Sequence, residues 1–284
     1  MYKASLILEG GGMRGVYTAG VLDFFLDKNI EFDAVFGVSA GACTACSYLS
    51  KQRGRAYAVF TDYLNDDRYL SIKSLLKTGN AFGTEFIFDT IPNELNLYDY
   101  REFNKYNGRF YAVATDIVTG EAIYHPVTNL KANGDAAYVH ASMSLPLISQ
   151  TVEADGKKML DGGIADSIPI QKAYDLGYRK NIVILTQCNG YRKKKTPIIP
   201  IIEANYHNYP GIIKAMNNRH LNYNNSLNLI NLLKHTNECF VIQPKEPVNI
   251  SRLEKNQDKL YDLYLKGYND ARESYHDLIN YLNK

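Results

Sequence analysis

Five residues, Gly37-Val38-Ser39-Ala40-Gly41, fit the pattern Gly-x-Ser-x-Gly. That pattern marks a serine on a sharp turn between a strand and a helix. Such a turn strains the backbone at the serine and pushes its hydroxyl outward. The small neighbours let strand and helix approach, and the helix N-terminus favours developing negative charge. The chemistry would be nucleophilic attack by Ser39 on an acyl carbon. A tight loop with an incidental serine has the same five letters, so context must decide.

A second glycine run, Gly10-Gly11-Gly12-Met13-Arg14-Gly15, fits two chemistries and one plain turn. Read as Gly-x-Gly-x-x-Gly it is a dinucleotide fingerprint, which expects an acidic residue near the end of the second strand to hold a ribose. That place holds Gly37-Val38-Ser39, which counts against a nicotinamide or flavin enzyme. No Gly-Lys-Ser/Thr follows, so it is not a phosphate-binding loop of the nucleotide hydrolases. Read instead as an oxyanion loop, it would aim free backbone N–H groups of Gly11 and Gly12 at a carbonyl oxygen.

A serine nucleophile needs a base. The six histidines, His125, His140, His207, His220, His235 and His276, carry no local signature, so spacing leaves a Ser-Asp-His triad open. By its own letters Asp161-Gly162-Gly163 is a turn after a strand.

These groups need a scaffold. Lys3 to Leu8 reads as a buried strand, Gly15 to Asp27 as a helix with a wide apolar face, Phe32 to Val38 as a second strand, and a helix of small residues starts at Ala40. This βαβα opening predicts a parallel sheet with right-handed crossovers. In such a sheet, loops after adjacent strands lie side by side at the C-terminal edge. The glycine run would then border Ser39. Residues 57–100 read as mostly helical with loops. Arg109 to Thr115 and Glu121 to His125 read as a strand pair, and Gln150 to Ala154 with Lys157 to Leu160 as a hairpin at Asp155-Gly156. Gln171 to Leu176 reads as a helix ended by Gly177, and Asn181 to Thr186 as an apolar strand. The remainder reads as helical apart from a strand near Phe240 to Ile242, closing with an amphipathic helix from Gln257.

With 284 residues, the chain suits one large α/β domain or a core with an added lobe. We read residues 1–188 as the catalytic α/β domain and 189–284 as a mainly helical extension packed on it. A net charge of only +2 excludes a general electrostatic nucleic-acid binder. Cys43 and Cys46 form Cys-x-x-Cys inside a run of small residues, and no further pair completes a zinc set. We therefore read them as small apolar side chains packed on the sheet. No calcium ligands and no cofactor are expected. No apolar stretch approaches the roughly 20 residues of a membrane span, so the expected setting is cytoplasmic. Arg192 to Ile202 joins cations to isoleucines. It is either a solvated loop entering a buried segment or an interfacial lid that docks on an anionic bilayer.

Taken together and in this order, the Gly10–Gly15 run, Gly37–Gly41 and Asp161-Gly162-Gly163 resemble the bacterial patatin-like phospholipases. Thr115-Asp116 with Thr119-Gly120, the run Ala141-Ser142-Met143-Ser144-Leu145-Pro146, and Pro169 agree with that likeness, which covers roughly Lys3 to Thr186. The resemblance implies a three-layer α/β/α fold with a mostly parallel sheet, and lipid acyl ester hydrolysis through an acyl-Ser39 intermediate. It also implies a Ser39–Asp161 dyad in place of a triad, with oxyanion donors from the loop (Gly11, Gly12 and Met13 foremost). Arg14 would fix that loop, draw an anionic head group, or simply face solvent. An acyltransferase using the same acyl-enzyme, a dinucleotide-dependent oxidoreductase and a non-catalytic lipid binder are the alternatives.

Overall fold

The first two strands are almost unbroken apolar runs, the pattern of strands covered on both faces. The computed structural model describes residues 1–131 and 134–284. It begins with β1 (Tyr2–Leu8), α1 (Gly15–Asp27), β2 (Phe32–Val38) and α2 (Ala40–Leu49). Next come α3 (Arg55–Thr61), α4 (Ile72–Thr78), a π-helical segment over Phe86–Leu95 and α5 (Tyr100–Phe103). The strands β3 (Arg109–Asp116) and β4 (Ala122–Pro126) follow, then α6 (Ala136–Met143), β5 (Val152–Ala154) and β6 (Lys157–Asp161). After these come α7 (Ile170–Asp175), β7 (Asn181–Ile184), α8 (Ile199–Asn205), α9 (Pro210–His235), β8 (Cys239–Ile242), α10 (Gln257–Glu273) and α11 (Tyr275–Asn283).

One sheet takes the order β5-β6-β3-β2-β1-β7-β8, with β4 paired to β3. The run β3-β2-β1-β7-β8 is parallel. The β3–β4, β3–β6 and β5–β6 pairs are antiparallel. Side chains divide between the two faces with period two. Leu6, Leu8 and Val35 join the core shared with α1, α2 and α10, while Ile7, Phe36 and Val183 join the core shared with α7 and α9. The mostly parallel three-layer expectation is met.

Two elements depart from the sequence reading. The helix α6 was not expected, because Ala136 to Met143 lacks a strong apolar stripe; Asp135 stands at its start but bonds His125, Thr128 and Asn129 without capping the helix. The C-terminal region does more than lie on the core. Its strand β8 extends the sheet beside β7, and the Tyr17 hydroxyl of α1 donates to Asp270 of α10 at 2.8 Å.

Candidate active site

Strand register brings the two motif residues together. Val38, the last residue of β2, pairs with Val113 of β3, and Asp161, the last residue of β6, pairs with the next residue, Ala114. Ser39 and Asp161 therefore reach the same level of the sheet from either side of β3, although 121 residues lie between them in sequence.

Ser39 has φ 55° and ψ −125°, a strained conformation for a residue with a Cβ. Its N–H donates to the Ser142 hydroxyl at 2.8 Å, and that hydroxyl donates to the Val113 carbonyl at 2.5 Å. The turn also needs Gly41, since a Cβ there would lie 2.4 Å from the Leu8 carbonyl oxygen. Ser39 is 7% exposed and Asp161 3% exposed.

Asp161 is held through its backbone and one oxygen. Its N–H donates to the Ser144 carbonyl at 2.8 Å, and its carbonyl accepts from the Thr115 hydroxyl at 2.9 Å. Oδ1 accepts from the Gly163 N–H at 2.7 Å, whereas Oδ2 is buried without a partner. Burial holds the carboxyl above its ordinary range. The Ser39 hydroxyl, and then Arg219, favour the charged form against that effect. Ser39 and Asp161 border one small cleft, and no hydrogen bond of ordinary geometry joins their side chains.

The glycine loop divides sharply. Met13, expected as an oxyanion donor, gives its N–H to the Arg252 carbonyl at 3.1 Å. Arg14 and Gly15 give theirs to Gly11 and Gly12 carbonyls within the loop's own turn. Among the described residues, the N–H groups of Gly10, Gly11 and Gly12 remain without a partner. Gly12 has φ +57°, and a Cβ there would lie 2.6 Å from the Arg252 carbonyl oxygen. Arg14 is half-buried. Burial and the nearby Arg252 charge lower its pKa, and its Nε is buried without a partner.

None of the histidines lines either cavity that Ser39 lines. Among the described residues no group of side chains has the make-up of a metal site, and no helix is long and apolar enough to cross a membrane. Cys43 and Cys46 are free; burial pushes the Cys43 thiol up to about 12 and raises that of Cys46 also, so both stay protonated.

Residues 6–174 match the family described as patatin-like phospholipase. The chain belongs to that family. A second match, over residues 209–283, is to a domain of unknown function, DUF6363. The uncharacterized protein YjjU of Escherichia coli is 28% identical over 189 residues, 65% of this chain and 52% of that protein. Lysophospholipase NTE1 of Cryptococcus neoformans is 29% identical over 195 residues, 64% of this chain and 11% of that protein. The probable lipid hydrolase 463L of invertebrate iridescent virus 6 is 23% identical, over 63% of this chain and 66% of that protein. The chain thus spans about half or less of the first two relatives. VipD from Legionella pneumophila aligns over 99% of this chain and 67% of its own, with a TM-score of 0.47 and 12% identity.

In this patatin-like chain the site also draws on residues outside the patatin-like match. Arg219 of α9 donates through Nε to the Gly163 carbonyl, which also accepts from the Ser167 hydroxyl at 2.8 Å. Glu9, which follows β1 and lies inside that match, accepts from residues beyond it: the Thr186 N–H, the Thr186 hydroxyl and the Tyr223 hydroxyl, at 2.7, 3.1 and 2.8 Å. Lys193 is clamped to α9, its N–H donating to Asn224 Oδ1 at 2.9 Å and its carbonyl accepting from Asn224 Nδ2 at 3.0 Å. Sequence reasoning assigned no role to Glu9, Ser142, Arg219 or Arg252. A carboxylate placed just before the glycine run was the one local signal available.

Proposed function

We propose that the chain is a serine lipid acyl hydrolase acting through Ser39 and Asp161. The observation that carries this reading is the unpartnered, buried Asp161 Oδ2 beside a strained Ser39. An orphaned buried carboxylate oxygen is costly, and such strain clusters at functional sites. In the proposed reaction, Ser39 Oγ attacks the ester carbonyl carbon while Asp161 Oδ2 takes the hydroxyl proton. The carbonyl oxygen becomes an anion facing the free N–H groups of Gly11 and Gly12. Collapse breaks the ester bond, and the leaving alkoxide takes the proton from Asp161. Water then repeats the sequence on the acyl-serine and releases the fatty acid.

A carboxylate is a weak base for a hydroxyl. Burial makes Asp161 a stronger one by raising its pKa. The family match and the relatives named as a lysophospholipase and a probable lipid hydrolase support the substrate class. In this reading residues 1–188 carry the reacting groups, and 189–284 complete the sheet and wall the site. Contact with a lipid surface through residues 192–202 is reduced to a smaller face. Ile201 is 52% exposed and Lys194 and Lys195 are exposed, but Ile199 and Ile202 are buried in the core.

Mass spectrometry of the intact chain after a fluorophosphonate probe tests the reading. One adduct on Ser39, absent in Ser39→Ala and weakened in Asp161→Asn, is expected. Absence of an adduct on folded chain, with and without lipid vesicles, would sink it.

A further inference from the structure

Ser39 borders an apolar cavity and a small cleft that leads to a second cavity lined by both apolar side chains and cations. On one side lies a narrow apolar cavity of about 130 Å³, lined by side chains such as Val59, Phe60, Phe88, Val139 and Met143. On the side of Asp161 lies a larger one of about 660 Å³, bordered by Lys193, Arg219, His220 and Arg252. A small cleft bordered by Ser39, Asp161, Lys193, Arg219 and Arg252 links them.

The cations outnumber the carboxylates here: Glu9 and Asp161 border the same cleft as Lys193, Arg219 and Arg252 and offset their charge only in part. Lys193, Arg219, Arg252 and Arg14 form no ion pair among the described residues. Glu9 is engaged by Thr186 and Tyr223, and Asp161 holds one oxygen on Gly163. Burial, joined by repulsion from Arg219 and Arg252, lowers the Lys193 pKa to about 7. Burial and Arg252 lower that of Arg219 to about 10. Cations gathered in a partly desolvated cleft repel one another unless an anion joins them. They are nevertheless held in place: Lys193 by Asn224, Arg219 by the Gly163 carbonyl, and the Arg252 backbone by Met13.

We propose that Lys193, Arg219 and Arg252 form a subsite for a phosphate on the head group of the acylated substrate. This rests on the hydrolase reading and narrows its substrate to an anionic amphiphile. The acyl chain enters the apolar cavity, the ester lies at Ser39 and the phosphate meets the cationic wall. Several cations, two of them guanidinium forks, converge on one place, which suits the multiple oxygens of phosphate better than a single carboxylate. Arg219 and Arg252 both lie within the 209–283 match, so that domain would supply head-group recognition.

Calorimetric titration of the Ser39→Ala chain separates this from turnover. The probes are decyl phosphate below its micelle concentration, decanol and inorganic phosphate. Decyl phosphate should bind at least tenfold tighter than either of the others. Lys193→Met and Arg252→Met, each verified as folded by circular dichroism, should lower the decyl phosphate to decanol affinity ratio at least tenfold. A ratio near one, or one that neither variant changes, overturns the proposal. Inorganic phosphate binding as tightly as decyl phosphate assigns the wall to a free anion and overturns the head-group assignment. Ser39 labelling without phosphate selectivity removes this inference alone; selectivity without labelling removes the hydrolase reading instead.

Discussion

The backbone N–H of Ser39 donates to the hydroxyl of Ser142, 2.8 Å away on α6. That hydroxyl in turn donates a hydrogen bond to the Val113 carbonyl, so one side chain joins the nucleophile turn to the strand beneath it. Ser142→Ala leaves a buried donor and a buried acceptor unmatched, at a cost of about 1–3 kcal/mol. It also frees the elbow to relax, and small misplacements of a nucleophile lower rates on the order of 100-fold. Urea unfolding and kcat on a short-chain p-nitrophenyl ester read the two effects. A destabilised variant with full kcat would reduce Ser142 to packing.

Asp161→Asn should separate activity from stability. The amide cannot take the serine proton, and loss of a general base typically lowers rate by about 100- to 10,000-fold. Burial raises the folded-state pKa of Asp161, so the charged form is disfavoured above that value and the penalty disappears below the ordinary carboxylate range. The variant should therefore melt higher than the parent at pH 7, and the gain should vanish on acidification. The activity of the parent should fall on the acid side at a pH above the ordinary carboxylate range. A lower melting temperature at pH 7 would contradict this account.

Gly12→Ala meets two obstacles, a positive φ and the Arg252 carbonyl oxygen 2.6 Å from the new Cβ. Moving that carbonyl also disturbs the Met13 hydrogen bond. Displacing one oxyanion donor typically lowers kcat by about 100- to 1,000-fold. Gly156→Ala is the control: φ is +73° there too, but nothing lies within 4 Å and the hairpin turn is remote from Ser39. Equal kcat in the two variants would remove the glycine loop from the reaction.

Lys193 gives a second pH signature. Facing it are Arg219, Glu9, Arg252 and Arg14, and the first effect on it is burial, which brings its pKa from 10.5 to about 7. Below pH 7 it is charged in both folded and unfolded chains, and the full penalty of burying charge applies. From pH 7 to about 10.5 the folded form sheds its proton and the penalty fades. Lys193→Met should thus raise the melting temperature most at pH 6 and progressively less toward pH 10. A shift independent of pH would place Lys193 in solvent.

The local parts of the site were legible because they are contiguous. A strand, a glycine-flanked serine and a small-residue helix announce the turn at Ser39 within a dozen letters. The run from Gly10 to Gly15 follows the same rule, as do most strands. The sequence could not say which N–H groups of that run stay free. That depends on Arg252, whose carbonyl arrives from beyond β8 to take the Met13 donor. Nor could it say that Lys193 turns inward, since a basic triplet looks solvated until α9 offers Asn224 to hold it. Periodicity and turn chemistry act over a few residues and are written in order along the chain. The pairing of Val38 and Asp161 with adjacent positions of β3, the buried cations and the orphaned Asp161 oxygen arise from packing between distant segments, which only the tertiary structure decides.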